Sequence, residues 1–378
     1  MMNNTQKLTT LPRIQPITPV KLPEEQSFLP MLHGKATDAM AQMSSRDAQI
    51  NPITGSATVS SGEVKLVIQR FNDLKGTLGI NTHKLLSVGI ANFTGQNHVG
   101  GKANALEYKV SIPFREYAIR CGYDLIERPT STPEEAEAEK KRLANLEKDI
   151  KKKIKKDLDV LRATELTWRE TVKGKEGDYL NVPIIGSRGI KGGYIHMVFD
   201  PVMAEYLVRL PLTQYPVALL AVDARNGNAY SIGLKMTEYY NMDLNQVKGK
   251  ADRLAVPTLL ACTSLPSIED VRAKRKDWVE RIKEPFENAL DALTQCGFLA
   301  DWQYTHAKAK PLTDEEAANI TDYETWAKLY VQFSIKDAPD QTARIEAKRE
   351  RAAERKKKAA SKKKSPSKPK KAKEEATA

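Results

Sequence analysis

The chain has 378 residues, 40% of them hydrophobic, and a formal charge of +12 at pH 7. This length fits two folded domains with additional tails, and no apolar run approaches the roughly 18 residues of a membrane span. The N-terminus lacks a charged and then apolar leader, which predicts a cytoplasmic protein. Cys121, Cys262 and Cys296 form no CxxC pair, so we expect neither a disulfide framework nor a zinc site.

Most of the positive charge lies near the C-terminus. Residues 344–378 carry 15 Lys and Arg against 5 Glu, a net charge of +10, which leaves the rest of the chain near +2. We predict a basic tail over 338–378 that is helical at first and then disordered. Such a tail binds polyanions without reading their sequence. Specific recognition would therefore have to come from the folded part of the chain.

The first folded domain is predicted over 61–212, after a mostly disordered arm over 1–60 that is rich in Pro, Thr, Gln and Ser. A short strand is predicted at 63–68. The elements that follow are a helix at 81–93, a strand at 108–112, a short helix at 114–120, a long helix from 133 to about 162, and strands near 165–170 and 194–199. The order helix, strand, short helix, long helix and β-hairpin is typical of a winged helix.

A second domain with the same kind of order is predicted over 213–337. After a linking helix at 201–210, the patterns predict helices at 216–225, 231–240, 256–260 and 270–295, then strands at 297–304 and 325–336. The predicted fold class is therefore α+β, with two tandem winged-helix domains between a disordered N-terminal arm and a basic C-terminal tail.

The helix predicted at 270–295 carries the clearest functional signal. Its basic residues fill the N-terminal half, although the helix dipole favours acids there, which indicates a functional reason for them. A recognition helix places its N-terminal part in the major groove of DNA. Pro285 predicts a kink or a restart within this helix. The candidate groove and phosphate contacts are Arg272, Lys274, Lys276, Arg281 and Lys283.

Two loops are candidate wings, and one further helix is basic. Arg188 and Lys191 stand among four glycines at 186–193, where the backbone could approach a minor groove or a phosphate closely. Lys308 and Lys310 lie in the loop between the last two strands. The lysines at 151–156 of the long helix could also meet phosphates, whereas the acidic start of that helix could not.

No pattern in the sequence supports an enzyme. The chain has no GxxxxGK[ST], GxGxxG or GxSxG motif, and its five histidines are not spaced with acids or cysteines as metal ligands. We therefore predict a non-enzymatic protein without a catalytic site, metal or cofactor. An enzyme with scattered catalytic residues is an alternative left open.

The residues over 272–293 resemble the second winged-helix domain of plasmid replication initiators of the Rep type. That family carries a basic helix with a pattern close to RVLEPALKEI, which RIKEP at 281–285 and ALDAL at 289–293 match in part. The resemblance covers about 60–330 in the order of elements. The segment 130–165 is longer and more charged than the family pattern, and the basic tail is not part of it.

The resemblance implies binding to repeated double-stranded DNA sites at an origin, local melting and recruitment of host replication proteins. It also implies a homodimer formed through the first domain, and a location at the nucleoid or a plasmid. Two other interpretations stay open. One is a transcription regulator with the same fold, and the other is a scaffold protein that meets nucleic acid only through its basic tail.

Overall fold

The computed structural model describes residues 27–32, 49–54, 56–61, 64–69, 79–98, 106–172, 175–210, 212–242, 245–246, 248–307, 310–313, 315–316, 320–338 and 350. The basic tail predicted over 338–378 lies almost entirely outside these residues, as do Lys308 and most of the predicted arm. The elements up to residue 207 are β1 (Phe28–Leu32), β2 (Gln49–Ile50), β3 (Ala57–Ser61), β4 (Val64–Ile68), α1 (Ile80–His98), β5 (Lys109–Pro113), α2 (Phe114–Arg120), α3 (Pro133–Ala163), β6 (Thr164–Val172), β7 (Lys175–Pro183), β8 (Ile185–Lys191), β9 (Tyr194–Phe199) and α4 (Pro201–Leu207).

The remaining elements form the second half of the described chain. They are β10 (Leu212–Pro216), a 3₁₀ turn (Val217–Ala221), α5 (Gly227–Asn241), β11 (Arg253–Ala255), α6 (Val256–Leu260), α7 (Ile268–Ala273), a π-helical turn (Val279–Lys283) that continues into α8 (Glu284–Gln295), β12 (Leu299–Thr305), α9 (Tyr323–Trp326) and β13 (Tyr330–Ile335). The architecture is α+β, as the sequence predicts.

Two three-stranded antiparallel sheets share one topology. In the first, β9 lies between β5 and β8, and in the second, β13 lies between β11 and β12. In both, a helix precedes the first strand, helices follow it, and the last strand closes the sheet at its centre. The sequence predicted this recurrence only as an order of elements, and the pairing of the strands repeats as well.

The first half contains an inserted hairpin, β6–β7. The sequence pattern did not distinguish this hairpin from the hairpin of the candidate wing. β6 pairs with β7, and both belong to an antiparallel sheet with the order β2-β3-β4-β6-β7 among the described strands. The predicted strands at 165–170 and 194–199 therefore lie in different sheets, because β9 pairs with β8 and β5. The insertion places a complete hairpin between α3 and the hairpin β8–β9.

The prediction of a disordered arm over 1–60 is wrong for the segments that the structure describes. β1 pairs with β10 along its whole length, and its Leu29 and Met31 side chains are buried against the core. β3 pairs with β4 in the inserted sheet. Composition alone missed these strands because a short strand depends on the partner beside it more than on its own residues.

Three predicted elements have different bounds or types. The helix predicted at 216–225 is only the 3₁₀ turn after β10. The helix predicted at 231–240 begins earlier, at Gly227, because the Asn226 side chain accepts a hydrogen bond from the Ala229 N–H at 3.2 Å. The strand predicted at 325–336 begins at Tyr330, after the short helix α9, whose N-terminus is capped by Asp322.

Helix α1 is the central element of the core. Residues 82–94 are buried in succession, so the helix has almost no solvent face. It packs against β1, β5 and α3. A helix buried on all sides needs partners for its polar side chains, and those partners come from both halves of the chain.

A buried lysine joins α1 to the second half. The Lys84 ammonium group is fully buried and donates hydrogen bonds to the carbonyl oxygens of Leu220, at 2.7 Å, and Val222. It also lies over the Tyr230 ring, 5.8 Å from the centroid. Burial lowers the pKa of Lys84, and the charges of nearby groups including Asp223 oppose that shift. The ammonium group therefore donates hydrogen bonds to two carbonyl groups at the end of the 3₁₀ turn. Because this site is buried, water does not take its place.

We expect Lys84→Met to lower the free energy of unfolding by roughly 2–4 kcal/mol. Methionine keeps most of the side-chain volume but leaves two buried carbonyl groups without a donor. Urea unfolding of the full chain, followed by tryptophan fluorescence, measures the change. Lys140→Met, at an exposed position, is the control and should change stability by less than about 0.5 kcal/mol. Equal stability of the Lys84 variant and the parent chain would contradict this role.

A second buried polar contact ties α1 to α3 and depends on pH. The Thr82 hydroxyl donates to the Asp157 carboxylate at 2.8 Å. Burial raises the pKa of Asp157 to about 6, although the Thr82 hydrogen bond and the charge of Lys156 oppose the shift. Since the folded-state pKa exceeds the unfolded one, the group favours folding below about pH 4, and this contribution is lost as the pH rises through about 6.

Asp157→Asn should therefore raise the free energy of unfolding at pH 7 by up to about 3 kcal/mol, because a shift of one pKa unit corresponds to 1.36 kcal/mol. Near pH 4 the variant and the parent chain should differ by much less. Denaturant unfolding at intervals between pH 4 and 7 tests this. A difference in stability that does not vary with pH would show that the ionisation of Asp157 is not its cause.

Candidate nucleic-acid interface

The basic segment predicted as one helix over 270–295 is broken. Helix α7 ends at Ala273, and the helical backbone resumes at Trp278. The break is a Schellman motif, in which the Lys276 N–H donates to the Val271 carbonyl at 3.1 Å and the Arg275 N–H to the Arg272 carbonyl at 3.0 Å. The sequence pattern concealed this break because the apolar positions on either side keep a helical period.

Arg275 occupies the position in this motif where glycine is favoured. Its φ is +50°, in the left-handed region that is unfavourable for residues with a Cβ atom. Arg275 is exposed. It is not among the predicted contacts, because a continuous helix does not distinguish it from its neighbours. The left-handed backbone of this arginine, between two exposed lysines, is visible only in the structure and marks the turn as a candidate binding surface.

The segment where the helix resumes contains a π-helical turn just before Pro285. The Glu284 N–H donates to the Val279 carbonyl, five residues earlier. Proline lacks the N–H that would continue an α-helical ladder, and a wider turn accommodates this loss without ending the helix. The disturbance that Pro285 predicts is therefore present as a π turn, with Arg281 exposed on it.

Three of the predicted contacts surround the break, and two lie on the π turn. Lys274 and Lys276 are exposed within the break, and Arg281 is exposed beyond it. Arg272 is exposed but its guanidinium group forms an ion pair with Glu324 at 2.5 Å. Lys283 is only half-exposed. We call the exposed cations of this region the basic turn, which consists of Lys274, Arg275, Lys276 and Arg281.

Aromatic packing holds the basic turn in place. Trp278 contacts Tyr323 and Trp326, with ring centroids 5.7 Å and 5.5 Å away, and its indole N–H donates to the Thr321 carbonyl at 3.3 Å. The buried Trp326 also meets Phe286 edge to face. Because these rings belong to α8, α9 and the start of the π turn, the helix cannot rotate without disrupting the core.

A hydrogen-bond chain fixes the same helix to the sheet. The Trp326 indole donates to the Tyr304 hydroxyl at 2.9 Å, and that hydroxyl donates to the Glu287 carboxylate at 3.1 Å. Burial raises the pKa of Glu287, which the charge of Lys283 and the Tyr304 hydrogen bond oppose. The Trp302 indole donates to Asp291 one helical turn further along, at 3.0 Å.

The first candidate wing is a tight hairpin. Gly192 and Gly193 have φ values of +60° and +79°, as a two-residue turn between β8 and β9 requires. Lys191 is exposed beside this turn. Arg188 instead forms a hydrogen-bonded ion pair with Asp159 of α3, with 2.5 Å between Nε and the carboxylate oxygen. Of the two predicted contacts on this hairpin, only Lys191 is exposed to solvent.

The second candidate wing is described in part. Lys310 is exposed, and its carbonyl accepts a hydrogen bond from the His306 N–H at 3.0 Å. Lys308 lies outside the described residues. The structure therefore places Lys310 beside the end of β12.

Within the described part of the chain, no group of three or more His, Cys, Asp and Glu side chains is arranged to hold a metal ion. No helix in the same residues combines the length and the apolar character needed to cross a bilayer. Comparisons with models of protein families, with curated proteins and with solved structures each give no match.

We expect Arg275→Gly to raise the free energy of unfolding by roughly 0.5 kcal/mol while it weakens duplex DNA binding severalfold. Glycine relieves the left-handed strain, although its freedom in the unfolded chain offsets part of the gain. Arg275→Ala is the matched control, since it removes the same charge but keeps the strain. Denaturant unfolding and fluorescence anisotropy with a labelled duplex measure the two effects. A stabilised variant with unchanged affinity would exclude Arg275 from the interface.

Proposed function

We propose that the chain is a sequence-specific binder of double-stranded DNA, built on two winged-helix domains over 61–212 and 213–337. The observation that carries the proposal is the basic turn at the start of the helix that leads into β12. In a winged helix, the helix before the second strand of the sheet enters the major groove with its N-terminal end. The exposed cations of the basic turn lie at that end.

The shared sheet topology supports the winged-helix interpretation. In each half, a strand, helices and a two-stranded hairpin follow one helix, and the hairpin completes a three-stranded sheet with the first strand. The hairpin β8–β9 and the partly described loop after β12 are in the positions of wings. Lys191 and Lys310 are the exposed wing cations that would meet phosphates.

The energetic balance of the basic turn also supports a role in binding. Arg275 adopts an unfavourable backbone conformation, and Arg281 lies in the first turn of the resumed helix, where a cation opposes the dipole. Lys274 and Lys276 lie beside the C-terminus of α7, where cations are tolerated, and their charged groups form no ion pair among the described residues. Contact with a polyanion would offset these costs, and arginine is well suited to paired hydrogen bonds with guanine.

Within this function we propose replication initiation at an origin that contains repeated sites, with the winged-helix cores bound to the duplex. This narrower proposal is supported by the partial match of 281–285 and 289–293 to the helix of Rep-type initiators and by the doubled architecture. A homodimer formed through the first domain and contacts with host replication proteins belong to the same proposal.

Selection from a random duplex pool at physiological salt tests the function. The full chain should enrich one defined motif, and Arg275→Ala/Lys276→Ala/Arg281→Ala should lose the enrichment while it keeps the unfolding transition of the parent chain. Residual binding by the variant without sequence preference would come from the basic tail. If the parent chain itself enriches no motif, the core does not read DNA.

A replication assay then separates initiation from transcriptional regulation. A DNA fragment with repeats of the selected motif, placed beside the gene for this chain on a vector without another origin, should replicate in a bacterial host. The fragment should fail to replicate when the gene carries the triple substitution. Site-specific binding without replication would favour a regulator.

Glu324 should restrain Arg272 in the unbound protein. We expect Glu324→Gln to increase duplex affinity two- to fivefold, because the guanidinium group then meets a phosphate without first leaving a carboxylate. An exposed ion pair contributes little to folding, so the free energy of unfolding should change by less than about 1 kcal/mol. Glu205→Gln, an equal charge change on α4, is the control. A loss of affinity in Glu324→Gln would contradict this restraint.

A further inference from the structure

Helix α3 carries an exposed row of cations that is separate in sequence from the basic turn. The helix has 31 residues and is therefore about 46 Å long. Five exposed cations follow one another along it, and we call them the α3 ridge. They are Lys141, Lys148, Lys152, Lys155 and Arg162.

The α3 ridge lies opposite the buried face of the helix. Its members are separated by 7, 4, 3 and 7 residues, which are the spacings of one helical face. The buried residues of the helix, including Ile150, Ile154 and Leu161, lie on the other side. At 1.5 Å per residue, the α3 ridge extends over about 31 Å.

Three charged side chains near the α3 ridge are engaged with the protein, whereas the exposed Asp149 lies beside it. Lys151 pairs with Glu147 at 3.3 Å and lies over the Phe114 ring, and Lys153 lies over the Tyr123 ring, at 5.1 Å and 5.5 Å from the centroids. Asp159, the acid on the same face, is bound by Arg188. No ion pair of a ridge cation is found within the described part of the chain.

Helix stability does not explain this arrangement. Cations stabilise a helix only within about one turn of its C-terminus, and Lys141, Lys148 and Lys152 lie well before that turn. Lysines four residues apart, such as Lys148 and Lys152, repel each other. An extended array of negative charge would offset the repulsion between Lys148 and Lys152.

We propose that the α3 ridge binds the phosphate backbone of duplex DNA along its length, without reading the sequence. The proposal rests on the DNA-binding function and assigns a second surface to it. The start of the helix carries the exposed acids Glu134, Glu135 and Glu137, so this end does not enter a groove. The side of the helix, rather than its N-terminus, is the contact. Its span corresponds to roughly nine base pairs, at 3.4 Å per pair.

The test is the salt dependence of binding by the full chain carrying Lys148→Gln/Lys152→Gln/Lys155→Gln. Each phosphate contact contributes about 0.9 to the slope of log K against log salt concentration. We expect the slope to fall by roughly two to three and the affinity to fall at least tenfold at physiological salt. The fall should be equal for the selected motif and for random duplexes, so that their ratio is unchanged.

The matched control is Lys140→Gln/Lys151→Gln/Lys153→Gln, which removes the same charge from the same helix at positions that are not part of the α3 ridge. Its slope should change by less than one. Unfolding of the ridge variant should require at least as much denaturant as unfolding of the parent chain, because like charges are removed. An unchanged slope in the ridge variant, or an equal change in the control, would overturn the proposal.

The two proposals fail in different ways. If the ridge variant binds like the parent chain and the basic-turn variant loses the selected motif, then the α3 ridge is not a DNA surface and the proposed function stands. If the parent chain selects no motif while the ridge variant still lowers the slope on random duplexes, then sequence-specific binding fails and the backbone contact stands. Hydroxyl-radical footprinting provides a second readout, since the ridge variant should protect fewer base pairs outside the motif.

Discussion

The buried ammonium group of Lys84 is the constraint on which the relation between the two halves depends. It satisfies the carbonyl groups of Leu220 and Val222, where β10 passes through a 3₁₀ turn toward α5. The neighbouring His83 shares a hydrogen bond with the Tyr230 hydroxyl at 2.8 Å, and Tyr230 contacts the Tyr215 hydroxyl at 3.0 Å. A helix of the first half thus supplies the polar partners for the first turn and helix of the second half.

This network bears on the proposed DNA binding. Two domains joined by a flexible linker would approach DNA independently, and each would lose orientational freedom on binding. Here the junction is buried and polar, so moving one half against the other would expose these hydrogen-bonding groups or leave them without partners. The arrangement of β1 against both β10 and α1 adds a strand from the N-terminal region to the same junction.

The two halves use the same architecture with different electrostatics. In the second half, the helix before β12 begins with exposed cations on a strained turn, and aromatic rings from α8 and α9 hold that turn in position. In the first half, the corresponding long helix begins with a capping box of Thr132 and Glu135 and several acids, which favour helix stability. Its cations lie along its side. In our proposal, sequence reading and backbone contact therefore belong to different parts of one repeated fold.

Local signals in the sequence determined a large part of the fold. The capped start of α3, the proline before α2, and the helical and strand periods of α1, β9 and β12 are properties of neighbouring residues, and the structure has these elements near the predicted bounds. The basic character of 272–283 was also visible, because composition requires no three-dimensional information. The recurrence of the element order followed from these local signals.

Only the tertiary structure decided which strands pair and where the basic helix breaks. The apolar positions of 271 and 278–293 keep a helical period across the break, so periodicity cannot detect it, and the left-handed Arg275 depends on the packing of Trp278 against Tyr323 and Trp326. Likewise, β1 is ordered by β10, which lies far along the chain. Long-range pairing and strain depend on contacts between distant residues, and a sequence pattern reports only the neighbours of each residue along the chain.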